Sequence, residues 1–83
     1  MNIALLNQEI TDYLERHNLT KKFNKQIDFL KIDFRHPSLH TEILEPKERG
    51  IRSFRIDIEY RALFFYDPKE DAIKILVITK HYQ

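Results

Sequence analysis

Residues 51–65 read IRSFRIDIEYRALFF, and the way this stretch folds back on itself decides how the rest of the chain is arranged. Its Ile, Phe and Tyr content suits strands, and apolar residues alternate with polar ones on either side of Asp57, so a β-hairpin is expected. Side chains along a strand point alternately to the two faces, and residues directly opposite each other across an antiparallel pair share a face. A two-residue loop at 58–59 would pair Arg55 with Ala62 and Arg61 with Ile56, mixing charge into both faces. A three-residue loop at 57–59 instead pairs Phe54 with Ala62, Ile56 with Tyr60 and Arg55 with Arg61. One face then holds Phe54, Ile56, Ala62 and Phe64, and the other Ser53, Arg55, Arg61 and Leu63. A one-residue slip exchanges the faces, so the need to bury one of them selects the odd loop, even though that loop has neither Gly nor Asn.

Like charges directly opposite each other cost stability. Two readings of the arginine pair are open. In the first, the guanidinium forks converge on an anion such as phosphate or carboxylate. In the second, the arginines are solvated and each pairs with a nearby acid such as Asp57, Glu59 or Asp67.

The chain has 83 residues, enough for one core and too few for two, so a single domain over 1–83 is expected. Hydrophobic residues make up 42% of it, which argues against disorder, and the net charge of +1 gives no overall basic signal for nucleic acid. There is no cysteine, which removes disulfides, thiolate chemistry and cysteine-type zinc sites and fits a reducing compartment. With no signal-like start and no apolar run of about twenty residues, a cytoplasmic location away from membranes is expected.

Before the hairpin, residues 3–6 form a short apolar run that suits a first strand. Ile10, Tyr13, Leu14 and His17 then mark an amphipathic helix with Asn7 as N-cap and Asn18 as stop. Thr20 is expected to cap a second helix with the stripe Phe23, Ile27, Leu30 and Phe34, ended by Pro37. Lys21, Lys22, Lys25 and Lys31 form its solvated face. Residues 36–50 read as a long loop pinned by Leu39, Ile43 and Leu44. After the hairpin come a turn at 67–71 and a last strand at 72–80 rich in Ile and Val. The order is β-α-α-β-β-β, an α+β fold in which a small antiparallel sheet carries both N-terminal helices on one face.

Other chemistry has little support. His36 and His40 are four apart, but Pro37 between them breaks the helix a metal pair would need and no third ligand is evident, so no metal site is expected. The single glycine excludes a phosphate-cradling glycine loop. His17 lies on an apolar stripe and reads as a packing residue.

The order β-α-α-β-β-β, the phrase HPSL at 36–39, the run FRIDIEYRALF at 54–64 and the closing His81 and Tyr82 together resemble the RelE/ParE superfamily of bacterial toxins, most of all its YoeB/Txe branch. The resemblance covers nearly the whole chain and is weakest over the first twenty residues. It implies Glu42 as an active-site acid, Arg55 and Arg61 as phosphate-binding arginines, and His81 with Tyr82 as the terminal pair. It also implies ribosome-dependent, metal- and cofactor-free cleavage of mRNA, in which a 2′-hydroxyl attacks the adjacent phosphate. Lys47, Arg49, Arg52 and Lys80 are the candidate RNA-binding cations. The partners implied are a cognate antitoxin, the ribosome and mRNA, with a homodimer or a toxin–antitoxin hetero-oligomer both open. The near-neutral charge departs from the strongly basic character of RelE-type toxins. Two alternatives share the fold: a ParE-like toxin that acts on DNA gyrase without cleaving anything, and an inactive binding module.

Overall fold

Apolar alternation along the C-terminal half builds a five-stranded sheet, and two amphipathic helices cover its apolar face. The computed structural model describes residues 2–80. The strands are β1 (Asn2–Ile3), β2 (Glu42–Ile43), β3 (Arg52–Arg55), β4 (Tyr60–Asp67) and β5 (Ala72–Lys80), and the helices are α1 (Gln8–Arg16) and α2 (Thr20–Ile32). The order across the sheet is β1-β5-β4-β3-β2. Four of the strands are antiparallel neighbours, but β1 runs parallel to β5, so the sheet is mixed where an antiparallel one was expected. The cause is topological. β1 and β5 lie at opposite ends of the chain, with both helices and three strands between them, so no hairpin constrains their direction.

The hairpin register follows the three-residue loop, with Phe54 opposite Ala62 and Arg55 opposite Arg61. The Ile56 N–H donates to the Tyr60 carbonyl at 2.8 Å. Phe54, Ile56, Ala62 and Phe64 are all buried in the core with Ile10, Leu14, Leu19, Phe23, Ile27, Leu30, Leu39, Ile73 and Ile78. Asp57 supplies what a glycine or asparagine would have offered, since its carboxylate accepts the Glu59 and Tyr60 N–H groups at 2.8 and 2.9 Å and folds the loop.

Asn7 caps α1 by accepting the Ile10 N–H at 2.9 Å, and Asn18 leaves the helix in the left-handed region at φ 57°. Thr20 is not a cap. It is the first residue of α2, whose N-cap, Leu19, makes no side-chain bond and is held by burial. Nor does Pro37 end that helix. The chain leaves it at Asp33, extended at φ −160°, whose carboxylate accepts the Arg35 N–H at 2.9 Å, so a side chain competing for backbone donors stops the helix before proline is reached. Phe34 therefore lies beyond the helical stripe.

Pro37 instead opens a 3-10 turn, Pro37–Leu39, that drives Leu39 into the core. Gln26, buried on α2, holds this turn: its amide donates to the Ser38 carbonyl at 2.9 Å and to the Arg55 carbonyl at 2.6 Å. One side chain thus ties a helix, the turn and the end of β3 together. The long loop expected at 36–50 also contains β2 and a second 3-10 turn, Lys47–Arg49, which Gly50 closes at φ 67°. That left-handed position accounts for the one glycine in the chain.

The Asp57 loop makes a pH-dependent contribution. Burial pushes its carboxyl up, but the two backbone N–H groups and Lys22 at 3.3 Å outweigh this and hold it below the usual aspartate value. A carboxyl depressed by folding adds stability above its unfolded pKa of about 4, and that stability is lost as pH falls through the folded value. Asp57→Ala should lower stability by about 1–2 kcal/mol at neutral pH. In urea titrations at pH 7, 4 and 3, the gap between wild type and Asp57→Ala should narrow as the pH falls. A gap independent of pH would show that the loop charge is irrelevant.

Candidate active site

The candidate site lies on the face of the sheet opposite the helices, and strand pairing dictates its members. Arg55, Arg61 and Thr79 form one cross-strand row. Glu42, Ser53, Leu63 and Val77 form the next. Glu42 joins this face only because Glu42–Ile43 is a strand and pairs Glu42 with Ser53.

Arg61 is the fixed centre. It is 5% exposed, and Ser53 beside it is 2% exposed, so this face is not simply open as the bare hairpin would suggest. The Arg61 side chain runs diagonally across β3. Its Nε donates to the Ser53 hydroxyl at 3.1 Å and its Nη2 donates to the His40 carbonyl. His40 is left-handed, φ 45° and ψ 50°, at the end of the first 3-10 turn. Left-handed backbone is uncommon for a residue with a side chain, and here it belongs to the turn that carries this carbonyl to the guanidinium.

Burial is the main influence pushing the Arg61 guanidinium below its ordinary value. The Glu42 charge opposes that, and Arg55 adds to it. An arginine stays protonated even so, and two of its five N–H donors are taken by Ser53 and His40.

The acids that could have neutralised the arginines are engaged elsewhere. Asp57 pairs with Lys22 at 3.3 Å, Glu59 with Lys80 at 3.8 Å and Asp67 with Lys74 at 3.3 Å. Among the described residues neither Arg55 nor Arg61 forms an ion pair. Of the two readings of the arginine pair, the one with each arginine on a hairpin acid therefore does not hold. What is left is a buried, oriented guanidinium, a second one opposite it and a carboxylate close enough to be felt, an arrangement suited to a tetrahedral anion.

The other sequence-derived candidates are spread more widely. Lys47 and Arg49 are exposed on the second 3-10 turn, between β2 and β3. Lys80 ends β5 beside Tyr60 and Glu59. Arg52 is on the opposite, helix-bearing face, with its guanidinium 5.2 Å from the centre of the Phe34 ring. His81 and Tyr82 lie outside the described residues. His36 stacks on Phe29 at 4.1 Å and its Nδ1 accepts the Ser38 N–H, while His17 lies against Tyr13 and Tyr60. Ser53 and the His40 carbonyl are the participants that sequence reasoning missed. For Ser53 there was a signal, a small hydroxyl on the arginine face one row away.

No protein-family model matches the chain, and no curated protein matches it in sequence. The fold is that of the RelE/ParE-like toxins. It superposes on the YoeB/ParE toxin from Agrobacterium tumefaciens with a TM-score of 0.76 at 20% identity, covering 99% of this chain and 100% of that one. The superposition includes the two helices and the mixed sheet, and it agrees with the resemblance carried by the FRIDIEYRALF run. No helix among the described residues is long and apolar enough to cross a membrane.

Proposed function

We propose that this chain is the toxin of a toxin–antitoxin pair, a single 1–83 domain that cleaves mRNA on the ribosome in the bacterial cytoplasm. The observation that carries the reading is Arg61: a buried guanidinium, held by a hydroxyl and a carbonyl, with no acid in ion-pair contact among the described residues. Burying an unpaired charge is costly, and a structural role would be met more cheaply by an apolar residue. A site that must receive a phosphate accounts for the expense.

In the proposed reaction the 2′-oxygen of one nucleotide attacks its own 3′-phosphate. A P–O bond forms to the 2′-oxygen, the bond to the 5′-oxygen of the next nucleotide breaks, and a 2′,3′-cyclic phosphate and a 5′-hydroxyl are left. Glu42 takes the 2′-proton and His81 protonates the departing 5′-oxygen, so no metal is required. Arg61 and Arg55 bind the non-bridging oxygens as negative charge grows on them. Tyr82 is assigned to stacking on a splayed base. Lys47, Arg49 and Lys80 are assigned to the RNA backbone. An antitoxin chain with acidic side chains would occupy the same arginines.

Inducing wild type, Glu42→Gln and Arg61→Ala in cells and mapping new 5′-ends of mRNA tests the reading. Wild type should arrest growth and produce cuts in translated mRNA. Glu42→Gln should slow cutting by about 10²–10⁴-fold, as expected for the loss of a general base. Growth arrest with intact mRNA and blocked gyrase would replace the proposal by the ParE-like activity, and no arrest at all would leave an inactive binding module.

A further inference from the structure

Gln26 is a polar residue in an apolar place. The buried residues of α2 are Phe23, Gln26, Ile27 and Leu30, and their i, i+3, i+4, i+7 spacing is the stripe that an amphipathic helix fills with apolar groups. Gln26 is only 7% exposed there, and its amide nitrogen donates twice, to the Ser38 carbonyl at 2.9 Å and to the Arg55 carbonyl at 2.6 Å. Those two oxygens therefore lie no further apart than the two bonds together. A primary amide suits the place because it carries two N–H donors on one atom.

Sheet geometry leaves the Arg55 carbonyl open for this bond. Successive residues of a strand direct their backbone groups to opposite edges, and the Ile56 N–H points to β4, where it meets the Tyr60 carbonyl. The Arg55 carbonyl thus points to the other edge, the side of β2. There β2 pairs only Glu42 with Ser53 and Ile43 with Arg52, and two residues before Glu42 the chain turns away through the left-handed His40. Gln26 supplies the donor that a longer β2 would have given. Its other bond holds Ser38, and two residues further on the His40 carbonyl accepts Nη2 of Arg61. Arg61 in turn lies directly opposite Arg55. These links close a ring, from Gln26 through Ser38, His40 and Arg61 to Arg55 and back. Like charges facing each other across a strand pair push apart, and the ring holds the two arginines against that repulsion.

We infer that Gln26 is a positioning residue for the arginine pair: its two hydrogen bonds set the distance between the Arg55 backbone and the carbonyl that orients Arg61, and so set the width of the anion site from the helix-bearing side of the sheet. The consequence for cleavage rests on the nuclease reading above, whereas the effect on the Arg61 guanidinium does not. Gln26 acts only through the two groups it holds.

The test compares Gln26→Met, which keeps the length and loses both donors, with Ile10→Val, a core truncation on α1 outside the ring. Nitrogen-15 NMR of the full chain reads the Arg61 Nε–H, which is buried and bonded to Ser53 in the wild type. Its proton should exchange with solvent about tenfold faster or more in Gln26→Met, and within about twofold of the wild-type rate in Ile10→Val. On programmed ribosomes the kcat of Gln26→Met should fall about 10–100-fold at nearly unchanged KM, the pattern of lost alignment and not of a lost contact with RNA. Ile10→Val should keep its kcat. An Arg61 Nε–H that exchanges at the wild-type rate in folded Gln26→Met would overturn the inference, and so would equal losses of kcat in the two variants. If Gln26→Met fails to fold, Gln26→Asn takes its place: it retains the amide but is a methylene too short to reach both carbonyls, and the same exchange rates decide. Wild type that cleaves no mRNA would remove the nuclease reading alone, since the exchange measurement needs no activity.

Discussion

Arg61→Leu should abolish most mRNA cleavage, by about 10²–10³-fold, while changing stability by no more than about 1 kcal/mol. The activity loss follows from removing preorganised donors aimed at developing charge, an effect of that size in other sites that stabilise oxyanions. The small stability change is a balance of opposing terms. The substitution removes a buried charge and the repulsion from Arg55 across the strand pair. It also leaves the Ser53 hydroxyl and the His40 carbonyl without the donor they now have. Arg61→Lys should lose nearly as much activity, since an ammonium is a point charge and cannot reproduce a planar fork bonded to two fixed groups while offering donors to a third. Denaturant titration and a single-turnover assay on programmed ribosomes measure the two quantities. If activity fell only in step with the folded fraction, Arg61 would be a structural residue and the nuclease proposal would lose its main support.

The parts of this site that could be read in advance are those that obey a period. Alternation with a period of two placed Arg55 and Arg61 opposite each other and put Phe54, Ile56, Ala62 and Phe64 in the core, because only one register buries an uninterrupted apolar face. β5 was legible for the same reason, as a run rich in Ile and Val bounded by a turn. β2 was not: it is two residues long and both are exposed, so no alternation exists to be seen. Yet β2 is what carries Glu42 to the arginines. The anchor of Arg61 was hidden more deeply, since a backbone carbonyl has no sequence signature and the left-handed turn at His40 that presents it contains no glycine. The end of α2 was misplaced because Pro37 is the conspicuous breaker, whereas the operative one is an ordinary aspartate that captures the Arg35 N–H.

Phe54→Ala should cost about 3–5 kcal/mol, the range seen when a buried phenylalanine is truncated. Phe54 is fully buried, with ring centres 5.9 Å from Phe23 and 5.7 Å from Phe64, and so joins α2 to both strands of the hairpin. Small domains have about 5–15 kcal/mol in total, and each kcal/mol moves the melting temperature of a chain this size by about 4–8 °C. Calorimetry should therefore show a fall of tens of degrees or no transition at all. Phe54→Leu, which keeps most of the volume, should cost less than half as much. The consequence for function follows from strand geometry. Phe54 lies between Ser53, which holds Arg61, and Arg55, which faces it, so the core contact on one side of β3 sets the height and pitch of the site on the other. Under conditions where it is folded, Phe54→Leu should retain cleavage within about tenfold of wild type, as expected if the site needs the strand in place and not the phenyl ring itself. A folded Phe54→Leu as inactive as Arg61→Leu would mean that the core packs the site more tightly than hydrogen bonds to Ser53 and His40 account for.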